Sequence, residues 1–146
     1  MNRSILVVCS GNICRSPYAE KKLQQLYPEM DVSSAGLIVS SSGLTNKPAA
    51  NSAIRIASES GVDLRKHRAR QLSEEHVIQS DLILAMERHH LEQIVDMYPF
   101  VDYKVFLLSH WNGAQNIEDP YRKNDVMFRL SFHDIDEAIE TWGHRL

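Results

Sequence analysis

The chain has 146 residues, of which 43% are hydrophobic and 24% charged, and its formal net charge is −3 with neutral histidines. That length is enough for one domain with its own buried core, and the balance is that of an ordinary globular chain. The charge offers nothing to nucleic acid or to an acidic membrane surface, and no apolar run approaches the ~20 residues of a membrane span.

One arginine precedes the four apolar residues Ile5 to Val8, which is too short a run for a signal peptide, so a cytoplasmic location is expected. The only cysteines, Cys9 and Cys14, share one short stretch. They are too close to staple a domain and read as reduced thiols.

Ile5-Leu6-Val7-Val8 has the look of a buried parallel strand. After a loop, Ser16-Pro17 opens a helix, since proline fits a first turn where its missing N–H costs nothing. Ala19, Leu23 and Leu26 are expected on its inner face, and Tyr27-Pro28 ends it. Asp31 to Ala35 is a short second strand. Residues 36–47, rich in Ser, Gly and Asn, form a loop. Pro48 is expected to begin a second helix with Ala50, Ala53, Ile54 and Ala57 inward and Gly61 as its stop. Residues 63–72 read as irregular.

Ser73-Glu74-Glu75-His76 marks another helix start, with acidic residues in the first turn. Leu82 to Met86 is the third strand, Glu87 to Tyr98 a helix stopped by Pro99, and Val105 to Leu108 the fourth strand. Ser109 to Arg122 is loop. Phe128, Phe132, Ile135, Ala138, Ile139 and Trp142 recur at helical spacing in a closing amphipathic helix. Alternating strands and helices give an α/β fold, a parallel sheet with helices on both faces, whose ligands bind beyond the carboxyl ends of the strands.

The chemistry is concentrated in Cys9-Ser10-Gly11-Asn12-Ile13-Cys14-Arg15-Ser16-Pro17, the link between the first strand and the first helix. A strand–loop–helix of this kind aims backbone N–H groups and a helix N-terminus at one spot, which suits a phosphate dianion. Arg15 can grip two phosphate oxygens as a fork. Cys9 can point its sulfur at phosphorus, and the helix N-terminus and Arg15 stabilise negative charge there. Ser16 can donate to that sulfur. Gly11 and Asn12 tolerate the positive φ that a tightly curled loop demands. Phosphoryl transfer needs such positioning and neutralisation, plus a proton for the leaving oxygen. Asp119, in Asp119-Pro120-Tyr121 after the fourth strand, is the best source.

Cys9 to Pro17 followed by Ala19-Glu20, with Ser34-Ala35-Gly36, Ala69-Arg70-Gln71 and Asp119-Pro120-Tyr121, resembles the low-molecular-weight protein tyrosine phosphatases. Arg122-Lys123 after that last motif is similar to the bacterial branch acting on tyrosine autokinases of capsule and exopolysaccharide export. The expected architecture is a single domain over 1–146 with a four-stranded sheet ordered 2-1-3-4. The resemblance implies Cys9 as the nucleophile forming a phosphocysteine, Arg15 as binder of phosphate and transition state, and Asp119 as acid and then base. It implies Asn12, Ser16 and Ser34 as supports of the loop and neither metal nor cofactor. The implied partner is a phosphotyrosine protein, a membrane tyrosine autokinase.

Cys14 resembles the family's second loop cysteine, which can cap oxidised Cys9 as a disulfide; a small buried hydrophobe is an equal reading. His67 reads as a surface histidine, with a place near the loop and a pairing to Glu87 as the alternative. His89-His90, lacking a cysteine or carboxylate at metal spacing, reads as a solvated helix face. Many eukaryotic members have an aromatic residue where Leu37 stands, so the groove is expected to be open, with Leu37 and Tyr121 along it. Arsenate reductase on this scaffold needs cysteines beyond Cys14, and there are none. A phosphoarginine phosphatase has threonine where Ile13 stands. A non-catalytic phosphate-binding module is disfavoured by Cys9, Arg15 and Asp119 together. The loop lacks the Lys-Ser/Thr ending of a nucleotide-binding loop.

Overall fold

The computed structural model describes residues 3–146. Four strands, β1 (Ser4–Cys9), β2 (Asp31–Gly36), β3 (Leu82–Ala85) and β4 (Val105–Leu107), form one parallel sheet ordered β2-β1-β3-β4. This is the expected order. The helices are α1 (Arg15–Leu26), α2 (Asn51–Glu59), α3 (Glu74–Gln79), α4 (Arg88–Met97) and α5 (Asp125–Trp142).

Alternation along β1 explains the layers. Ile5, Val7 and Cys9 face a core completed by Tyr18 and Leu23 of α1, Ala53 and Ile56 of α2, and Phe128, Phe132 and Ile135 of α5. Leu6 and Val8 face a second core with Val77 of α3, Ile94 of α4, Ile83 and Val105. A strand covered on both faces must be apolar throughout, and that accounts for its unbroken run. Central β1 ends at Cys9. The loop that leaves it therefore emerges between β2 and β3, where flanking connections can surround it.

Several elements differ from expectation. Leu26 is 51% exposed, and fully buried Tyr18 takes its place on the inner face of α1, stacked on Phe132 at 4.1 Å. On α2, Ile56 is buried and Ile54 only partly so. α2 begins at Asn51 rather than Pro48, because Ala50 is still extended and its N–H is bound to the Ile13 carbonyl. Residues Pro99–Lys104 form a 3₁₀ turn ahead of β4. Gly61 adopts φ +74 after α2, the left-handed turn that ends a helix.

Gly36 closes β2 against the loop. Its N–H donates to the Arg70 carbonyl, its carbonyl accepts from Leu72, and it bridges Gln71. A Cβ there would lie 2.6 Å from the Ser10 carbonyl oxygen and 3.0 Å from the Asn12 nitrogen. Those are backbone atoms of the loop and cannot swing aside. Gly36→Ala is expected to lower Tm by about 3–10 °C and to reduce activity in parallel, read by thermal denaturation and a phosphatase assay. An unshifted Tm would mean the loop yields freely at this point.

Candidate active site

Residues 10–14 curl back over the end of β1 before α1 begins. Asn12 makes the curl possible with φ +57, a conformation asparagine accepts more readily than most residues. Its buried side chain then braces the loop from three sides. Nδ2 donates to Ser16 Oγ at 2.8 Å and to Ser34 Oγ at 2.9 Å, and Oδ1 accepts from the Arg70 N–H at 3.0 Å. Ser34 hands its own proton to Glu20. The three expected supports, Asn12, Ser16 and Ser34, thus form one connected network. Cys9 Sγ lies 2.9 Å from Ser16 Oγ.

The curl leaves donors without partners. The N–H groups of Gly11, Asn12, Ile13 and Cys14 meet no acceptor among the described residues. No side chain caps the start of α1 either. Buried amides are ordinarily paired, so such a run marks an anion cradle.

Arg15 forms the far end. It is 1% exposed, and Nη1 donates to Glu87 Oε2 and to the Ile117 carbonyl, each at 2.7 Å. Nη2 is 3.7 Å from Asp119 Oδ2, and the buried Nε–H has no partner. Burial alone would lower the guanidinium's pKa, but Cys9, Asp119 and Glu87 outweigh it and raise it. Burial likewise pushes the Glu87 carboxyl up, and the hydrogen bond and charge of Arg15 overcome this and hold it below the usual range. Burial, then Asp119 and Cys9, drive the Cys14 thiol far up despite Arg15, so Cys14 is a neutral thiol. Both cysteines are free and buried.

Asp119 stands in a segment tied to the sheet through Ile117, whose N–H donates to the Met86 carbonyl. Its Oδ1 accepts from the Tyr121 N–H at 3.0 Å, which turns the carboxyl toward the loop. The resulting cleft, about 250 Å³, is lined by Cys9 to Arg15 on the floor and by Asp119, Tyr121 and Arg122 on one wall. A larger hollow of about 510 Å³ lies at the opposite, amino ends of β1 and β3, lined by Arg3, Asp81, Trp142 and Arg145. Its described lining holds no cysteine.

Three expectations change. Ile38 and Leu44 line the cleft together with Tyr121, whereas Leu37 turns into the second core. Leu37 extends the alternation of β2 one step past Gly36, and its successor faces the cleft. His67 is buried, with Nε2 2.7 Å from the Asn12 carbonyl, and Glu87 pairs with Arg15 instead. Burial lowers the His67 pKa, the Asn12 bond opposing this. His90 is fully buried rather than solvated, and only His89 is exposed. Glu87, His89 and His90 do bring ligand atoms within 4.8 Å of one another. However, Glu87 Oε2 is bound to Arg15, and both His90 nitrogens are engaged by Glu87 N–H and Ser10 Oγ. The usable signal was position: Glu87 comes two residues after the end of β3, at the edge of the sheet where β1 ends at Cys9.

A parallel sheet carrying a thiol, unpaired amides and a buried guanidinium at the end of a central strand is the arrangement of a small cysteine-dependent phosphatase. The chain belongs to the low molecular weight phosphotyrosine protein phosphatases, whose family model matches residues 4–146. Over its full length it is 42% identical to the low molecular weight protein-tyrosine-phosphatase Wzb of Escherichia coli K12, covering 97% of that protein. The probable low molecular weight protein-tyrosine-phosphatase AmsI of Erwinia amylovora is 39% identical over all of this chain and 99% of its own. The structure of Vibrio vulnificus Wzb in complex with benzylphosphonate matches with a TM-score of 0.96 at 42% identity, both chains being covered completely.

Asn12→Gly separates the two services of that residue. Glycine accepts the left-handed φ, yet it abandons Ser16, Ser34 and the Arg70 N–H. A loss of about 2–4 kcal/mol is expected in denaturant unfolding. No loss would mean the residue serves the turn alone.

Proposed function

We propose that the chain hydrolyses phosphotyrosine in proteins with Cys9, Arg15 and Asp119 as its catalytic residues. The run of unpaired amides from Gly11 to Cys14, closed by the unpartnered Nε–H of Arg15, carries this reading. These donors suit the equatorial oxygens of a phosphoryl group, with Cys9 Sγ beneath the phosphorus.

In the first step the Cys9 sulfur attacks phosphorus, the bond to the tyrosine oxygen breaks, and Asp119 gives that oxygen its proton. The product is a phosphocysteine and a free tyrosine side chain. In the second step Asp119 takes a proton from water, whose oxygen attacks phosphorus; the phosphorus–sulfur bond breaks and inorganic phosphate leaves. The positive charge of Arg15 offsets the anionic sulfur and phosphoryl oxygens throughout. Ile38, Leu44 and Tyr121 give the cleft apolar and aromatic surface suited to a flat ring.

The substrate class is tyrosine-phosphorylated protein, consistent with the names of the relatives. A membrane tyrosine autokinase of exopolysaccharide export is the partner proposed from the Asp119-to-Lys123 motif, and cytoplasm the place of action. Among the described residues no helix is long and apolar enough to cross a membrane.

Cys9→Ser is expected to abolish turnover of p-nitrophenyl phosphate and of phosphotyrosine peptides; substantial retained activity refutes the nucleophile. Asp119→Ala should cut kcat by about 10²–10⁴-fold on phosphotyrosine peptide and much less on esters of acidic phenols, whose anions leave unaided. An equal loss on both removes Asp119 from the acid's role. Matched phosphoserine and phosphoarginine peptides should remain uncleaved by the wild-type chain.

A further inference from the structure

His90 is fully buried at the start of α4, and no step above uses it. Its Nδ1 lies 3.2 Å from the Glu87 backbone nitrogen and its Nε2 lies 2.8 Å from Ser10 Oγ. A backbone N–H only donates, so Nδ1 accepts. Burial first, then the charges of Arg15 and His89, push the ring down to about 3 against the pull of Glu87. The imidazole is therefore neutral near pH 7, and its single proton sits on Nε2. It follows that His90 donates and Ser10 Oγ accepts.

That direction constrains the other hydrogen. A serine hydroxyl carries one proton, and with His90 occupying a lone pair the proton must point away from the ring. It meets no acceptor among the described residues. Ser10 directly follows Cys9, and both line the cleft floor. The reaction brings phosphoryl oxygens, strong acceptors, to that floor.

We propose that Ser10 contacts the substrate through its side chain, its hydroxyl proton turned by His90 onto an oxygen of the phosphoryl group in the loop. Ser10 then adds a side-chain donor to the amides and Arg15, and His90 is a positioning residue acting through it. The ligand class is a phosphate monoester or a like tetrahedral oxyanion. The inference rests on the phosphatase reading.

Inorganic phosphate, used as a competitive inhibitor of the full chain, provides the test. Ser10→Ala should weaken its inhibition constant by about tenfold or more, as loss of a hydrogen bond to a charged group does. Ser10→Thr, which keeps the hydroxyl, should bind as wild type. His90→Phe should give the same loss when Ser10 is present and no further loss in a Ser10→Ala background. His90→Gln, which retains a side-chain N–H, should recover affinity. Unchanged phosphate binding in Ser10→Ala, or losses that multiply in the double variant, overturns the inference. Should His90→Phe fail to fold, Ser10→Ala against Ser10→Thr decides alone, and equal affinities overturn it. A wild-type chain inert toward phosphotyrosine would instead overturn the reading on which the inference rests.

Discussion

A guanidinium sealed from solvent beneath a ring of unpaired amides is the constraint around which this molecule is arranged. Burying a charge is costly unless partners meet it. Arg15 finds them at the ends of different strands: Glu87 after β3, and Ile117 and Asp119 in the connection after β4. The parallel sheet is what brings these ends together. Every strand runs the same way, so each of these groups emerges at the edge where β1 delivers Cys9. The same economy governs Cys14, one residue from Arg15. Being buried near Asp119 and Cys9, it stays a protonated thiol and is a poor nucleophile.

Apart from Asn12, the groups that hold the loop stand outside the cleft lining. Asn12 joins α1, β2 and the Arg70 strand-like segment; His67 holds the Asn12 carbonyl; Gly36 permits close approach of β2. α4 clamps from the other side, with Glu87 on Arg15 and His90 on Ser10. The two ends of the cradle are therefore gripped by one helical turn. This arrangement fixes where donors stand before any phosphoryl group arrives, which is the condition under which electrostatic stabilisation is strongest.

Much of this was legible in the residues. The apolar run of β1, the Cys9-to-Pro17 spacing and the position of Asp119 after β4 place Cys9, the amide cradle and Asp119 at one edge of the sheet. Those signals are local or follow from the direction of parallel strands. What was not legible depends on contacts between distant segments. His67 and His90 resemble surface histidines in sequence because nothing nearby announces the Asn12 carbonyl or the Ser10 hydroxyl, 55 and 80 positions away. Leu37 and Ile38 differ by one step of alternation, and only the path after Gly36 decides which faces the cleft. The start of α2 moved because Ala50 is committed to the Ile13 carbonyl, a tertiary bond that outweighs proline's preference for a first turn.

Ile117 does two things with a single peptide unit: its N–H holds Met86 and its carbonyl holds Arg15. The position of Asp119, two residues on, is thereby referenced to the sheet and not to the long connection before it. Residues 110–114 can therefore vary in length and sequence with little effect on where Asp119 stands. Such freedom lets a lineage vary that outer surface for new associations while its hydrolytic chemistry stays constant.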